Sequence, residues 1–123
     1  IEAALLDRTR TGLGQKVDVA MLDCQIAILE NAIARYQVTG ASPGPLGSRH
    51  PSITPFQAFR CQDRPIVIAA GNDQLWAGCC RALGLAALAA DPRFHSNDSR
   101  TVHAAALADA IEARLQTASA DHW

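Results

Sequence analysis

The chain is 123 residues long, about one domain's length, with 49% apolar side chains and a formal net charge of −1. Eleven basic against twelve acidic residues leave no basic stripe for nucleic acid and no charge block for a membrane surface. No apolar run reaches the ~20 residues needed to span a bilayer, and IEAALLDRTR at the start lacks the basic start and small-residue cleavage site of a signal peptide.

Residues 1–11 read as a helix that Gly12 ends, since the position after a helix often needs the left-handed conformation. Lys16 to Met21 alternates, with Val17, Val19 and Met21 on one side, and is expected to form a strand. Leu22, Ile26, Leu29, Ile33 and Tyr36 recur at helical spacing, so one amphipathic helix is expected over 22–39, stopped by Gly40. Residues 40–55, GASPGPLGSRHPSITP, carry four prolines and three glycines and read as a long loop. FQAFRC and IVIAAG, separated by QDRP, suggest a hairpin. A helix follows from about Gln74 to Leu83, closed by Gly84; AADPRF reads as a short turn, and Asn97 or Asp98 as the cap of a last long helix to about Gln116. The chain opens without Met inside a helical pattern, and ASADHW reads as the start of another element, so it is expected to be a piece of a longer chain.

Several apparent motifs fail on their context. RTGLGQKVDVAMLD resembles a phosphate loop, but those loops run from strand through glycine to helix, so that a helix N-terminus faces the anion. Here the expected order is helix, glycine, strand, and Gly12-Leu13-Gly14 lacks both a third glycine and a GK[ST] ending. GASPG at 40–44 matches G-x-S-x-G, yet a helix precedes Ser42, and Pro43 has no N–H to offer an oxyanion. His50, His95, His103 and His122 show no metal-ligand spacing with one another or with cysteine. Cys24, Cys61, Cys79 and Cys80 form no CxxC and no disulfide framework, so they read as reduced core thiols of a cytoplasmic protein.

The combination of segments is more specific than any one of them. AALLDRTRTGLGQKVDVAMLD, GPLGSRHPSITPFQAFRCQD, IVIAAGNDQLWAGCCRALG and DPRFHSNDSR occur in that order. Together they resemble the class III CoA-transferases, the family of formyl-CoA transferase and of the carnitine and bile-acid CoA-transferases, over essentially the whole chain. The α-methylacyl-CoA racemases share the superfamily. The resemblance implies an α/β fold in which residues 1–39 end a Rossmann-like large domain as helix–strand–helix. Residues 40–55 would then be a linker, and 56–123 part of a small α+β domain of a hairpin plus helices. It further implies a cytoplasmic homodimer of interlocked chains, acyl-CoA and carboxylic acid substrates, and no nucleic-acid or membrane partner. In the glycine turn it implies a structural corner.

The chemistry implied is nucleophilic catalysis by an aspartate, which divides thioester exchange into easier covalent steps. It needs no metal and no covalently bound cofactor, coenzyme A thioester being the substrate. That aspartate would lie before the first helix, and no residue here matches it; Asp7, Asp18 and Asp23 qualify only under a different alignment. Met21 falls where formyl-CoA transferase contacts CoA through a methionine, with a gap-filling core role as the other reading. Arg49 and His50 sit in the Pro/Gly loop, where exposed side chains commonly serve ligands. Asn72 and Asp73 lie between strand and helix, where capping is the alternative to substrate contact. The competing functions are an acyl-CoA racemase segment and, from a different class, a non-catalytic structural or dimerisation module.

Overall fold

Glycines punctuate the chain as the sequence suggests. The computed structural model describes residues 1–123 and divides them into two compact units, Ile1–Gly44 and Pro45–Trp123. In the first unit, α1 (Glu2–Thr11) ends at Gly12, whose φ of 74° lets its N–H donate to the Arg8 carbonyl. α2 (Met21–Ile28) and α3 (Glu30–Thr39) follow, and Gly40, at φ 68°, closes the second of them.

Two expectations for this unit need correction. Residues 13–20 form neither helix nor strand, although Val17 and Val19 alternate as a strand would. A strand is made by ladder hydrogen bonds to a neighbour, and both strands of the chain lie elsewhere, paired with each other. The helix expected over 22–39 is interrupted at Leu29, where the N–H turns to the Ile26 carbonyl, three residues back. None of the three helices buries a residue, and Cys24, expected in a core, is exposed.

The second unit carries the core. β1 (Phe56–Arg60) and β2 (Pro65–Ala69) form the expected antiparallel hairpin, with Phe59 opposite Ile66 and Gln57 opposite Ile68. Phe59, Ile66 and Ile68 face inward, whereas Val67, on the other side of the pleat, is exposed. Against that face lie Trp76, Cys80 and Leu83 of α4 (Asp73–Leu83), one face at i, i+4, i+7, together with Leu107, Ile111 and Leu115 of α7 (Ala104–Leu115). Gly84 ends α4 with φ 68°.

Between these helices the expected AADPRF turn becomes α5 (Ala86–Ala90) and a 3-10 turn at Pro92–Phe94, which Asp91 caps by accepting from the Arg93 N–H. The last long helix is two helices, α6 (Asn97–Val102) and α7, separated at His103, whose φ of −101° leaves the helical range. The β-branched Thr101 and Val102 immediately before it weaken the helix there. Neither Asn97 nor Asp98 caps α6. Ser96 does, accepting from the Ser99 N–H at 3.2 Å, because the Asn97 side chain is engaged elsewhere.

Candidate functional site

The loop before β1 is pinned from three directions. Its own strand holds it: the His50 N–H donates to the Phe56 carbonyl at 2.8 Å, and Ser48 Oγ accepts from the Ala58 N–H. From α6, Asn97 Oδ1 accepts from the Thr54 N–H at 3.0 Å while Nδ2 donates to the Ser52 carbonyl at 2.8 Å. At the β2–α4 corner, a Cβ on Gly71 would overlap the Cγ2 methyl of Ile53, so only glycine lets corner and loop approach this closely. The Thr54–Pro55 peptide is cis.

Arg100 of α6 binds these pieces together. It is fully buried, and its Nε donates to the Thr54 carbonyl at 2.8 Å. Nη1 donates to the Phe94 carbonyl, and both Nη1 and Nη2 reach Asp73 Oδ1 at 3.1 Å. The guanidinium also lies over the Trp76 ring, 5.6 Å from its centre. A buried charge is tolerated only when paired and hydrogen-bonded, and here both conditions are met. Asp73 therefore has a structural employment at the start of α4. The cap of that helix is Asn72, whose Oδ1 accepts from the Leu75 N–H at 2.8 Å.

His50 is held through its ring. Nδ1 accepts from the backbone N–H groups of Ser52 at 3.2 Å and Ile53 at 3.0 Å, and the ring stacks on Phe56 with an interplanar angle of 2°. Arg49, its neighbour, is half-buried, pairs with no carboxylate of the chain, and lines a cleft of about 420 Å³ with Ser48, Gln57, Thr101 and Ala108. Met21, the first residue of α2, is 82% exposed and belongs to the other unit. The loop with Arg49 and His50 and the corner with Asn72 and Asp73 are thus brought together through Arg100, Ile53 and Gly71.

The thiols contribute no nucleophile to this end of the unit. Burial pushes the Cys80 thiol up to about 11, with Cys79 beside it adding to the effect, so it stays protonated and inert near neutrality. No three His, Cys, Asp or Glu side chains gather as a metal-binding group, and no helix is long and apolar enough to cross a membrane.

Helices accompanied by a small antiparallel hairpin, with polar groups collected on a pinned loop, give the chain a mixed α/β character. The family model for CoA-transferase family III matches residues 1–123, and the chain belongs to that family. The acetyl-CoA:oxalate CoA-transferase of Acetobacter aceti is 42% identical over 123 residues, covering 100% of this chain and 32% of the relative. A succinate–glutarate CoA-transferase of Agrobacterium fabrum is 39% identical over 103 residues, or 84% of this chain and 26% of that protein. Among solved structures, a CAIB/BAIF family protein from Brucella suis superposes with a TM-score of 0.75 at 37% identity, over 98% of this chain and 32% of the other. The chain spans under a third of the length of these relatives.

Proposed function

We propose that this chain is a segment of a cytoplasmic, homodimeric CoA-transferase that moves CoA from an acyl-CoA donor to a carboxylic acid. The observation that carries this reading is the match of residues 1–123, without a missing block, to a family whose relatives are acetyl-CoA:oxalate and succinate–glutarate CoA-transferases. Residues 1–39 are assigned to the large domain, 40–55 to the linker and 56–123 to the small domain. The nucleophile is an aspartate outside the segment. Its carboxylate adds to the thioester carbonyl, the C–S bond breaks, and CoA leaves as a thiolate that later returns. Met21, Arg49, His50, Asn72 and Asp73 are the residues of this chain assigned to CoA and substrate. The last two act through Asn72 Nδ2 and Asp73 Oδ2, because their Oδ1 atoms are engaged within the chain.

The racemase alternative would place a general acid or base at the β2–α4 corner. There Asn72 is committed to capping and Asp73 to the buried Arg100, which favours the transferase.

The test follows CoA exchange by mass spectrometry in the full-length protein containing these residues. Acetyl-CoA or succinyl-CoA would be supplied with oxalate or glutarate, and a parallel reaction with a 2-methylacyl-CoA run in D₂O. Exchange without deuterium at the α-carbon is expected; α-deuteration without exchange would overturn the reading for the racemase. The 123-residue chain alone should show no turnover. Asp73→Asn, which keeps an acceptor for Arg100, should lower exchange less than about tenfold, whereas loss of a general acid or base costs about 10²–10⁴.

A further inference from the structure

Backbone N–H groups can point only at a nitrogen that carries a lone pair. Two of them, from Ser52 and Ile53, converge on His50 Nδ1, so that nitrogen is an acceptor and the proton of the neutral ring sits on Nε2. Nε2 has no acceptor within the chain, while the parallel stack on Phe56 fixes the plane in which its N–H points. The loop carrying the ring is bound to β1, to Asn97 and to Arg100. A donor so fixed reorganises little when charge appears before it, which is the condition under which one hydrogen bond matters most to a reaction.

We propose that His50 is a fixed Nε2–H donor to the acyl oxygen of the substrate, and neither an acid nor a base. The proposal rests on the CoA-transferase reading. When a carboxylate adds to a thioester, the C–O bond forms at carbon and the carbonyl π electrons move onto oxygen. They return as the C–S bond breaks and the thiolate leaves. The His50 proton stays on Nε2 throughout and serves the oxygen only while it is negative. A ring whose Nδ1 is tied to two backbone donors cannot take a second proton there without losing both, which suits a donor and disqualifies a shuttle.

Asparagine separates the two ends of the ring. Its Oδ1 lies close to where Nδ1 was and can accept from Ser52 and Ile53, but it has nothing at the place of Nε2–H. In the full-length protein, His50→Asn should keep the wild-type melting temperature and the KM for acetyl-CoA. Its kcat for CoA exchange with oxalate should fall about a hundredfold. A kcat within twofold of wild type, or a raised KM with unchanged kcat, would overturn the proposal. Independently of any variant, the imidazole ¹⁵N shifts of His50 above the imidazole titration range should show an unprotonated Nδ1 and a protonated Nε2, and the Nε2–H signal should move on adding acetyl-CoA. A proton on Nδ1, or an Nε2–H signal that acetyl-CoA leaves in place, would refute it. Absence of exchange in the wild-type protein would overturn the CoA-transferase reading and this proposal with it, whereas the variant and ¹⁵N results overturn the proposal alone.

Discussion

Helix α7 sinks Leu107, Ile111 and Leu115 to 1% exposure or less, whereas α2, with Asp23 its only charge, leaves Met21 and Ile28 82% and 72% exposed. Burial here is decided by what stands opposite and not by composition. α7 has the hairpin face and α4 across from it, which enclose a shared core; the helices of residues 1–44 bury nothing. The polar architecture follows the same division, since the buried guanidinium and the pinned loop both belong to residues 45–123.

This contrast can be broken experimentally, and Arg100 offers the hardest test. Arg100→Ala removes a buried side chain that holds Asp73, Thr54 and Phe94 together, leaving two buried carbonyls unpartnered and a cavity beside Trp76, and should cost about 3–5 kcal/mol in urea unfolding of the chain. A loss under about 1 kcal/mol would show that the bolt is ornamental. Next come matched truncations. Ile111→Ala should cost about 2–5 kcal/mol, while Ile28→Ala, on the exposed helix, should stay within about 0.5 kcal/mol. Equal costs would erase the difference between the units.

Asn72→Ala should cost about 1 kcal/mol through the lost cap of α4, read as a lower melting temperature. The smallest effect is a dependence on acid. The Ala120 N–H holds the Asp63 carboxyl below its ordinary 3.8, and the Arg93 side chain does the same for Asp91. A carboxyl whose folded value lies below its unfolded one stabilises the fold above the unfolded value. That contribution fades as the pH falls through the lower folded value. Stability should therefore decline gently below about pH 4, and Asp63→Asn with Asp91→Asn should flatten the decline.

Much of the fold was legible because local chemistry decides it. Gly12, Gly40 and Gly84 end helices in the left-handed conformation because they alone tolerate it cheaply, and the hairpin follows from two short apolar runs around a turn. The expected strand at 16–21 failed because alternation records faces but cannot supply a ladder partner. At α6 the cap was expected at Asn97 or Asp98, yet the Asn97 amide reaches back 43 and 45 residues to the loop, and Ser96 takes the role. Arg100 stood inside one of the quoted blocks without a role. Its partners Thr54 and Asp73 are 46 and 27 residues away, a distance over which sequence spacing carries no signal. Among the candidate residues, loop position pointed to Arg49 and His50, but only the structure shows His50 Nδ1 accepting from the Ser52 and Ile53 N–H groups.

The reach of α6 back into the loop has a consequence for how the chain comes apart. Segments rich in proline and glycine usually open on their own, so their amides exchange with solvent at rates set by local fraying. Here the Thr54 amide ends on Asn97, and the Thr54 carbonyl on a guanidinium that also holds α4 and the 3-10 turn. Freeing this stretch means undocking α6, which disturbs what lies around Trp76 and Phe94. The end of the loop around Thr54 thereby joins the cooperative unit of the core, and the Thr54 amide should be among the last of residues 45–123 to admit deuterium, although the composition around it alone would place it among the first.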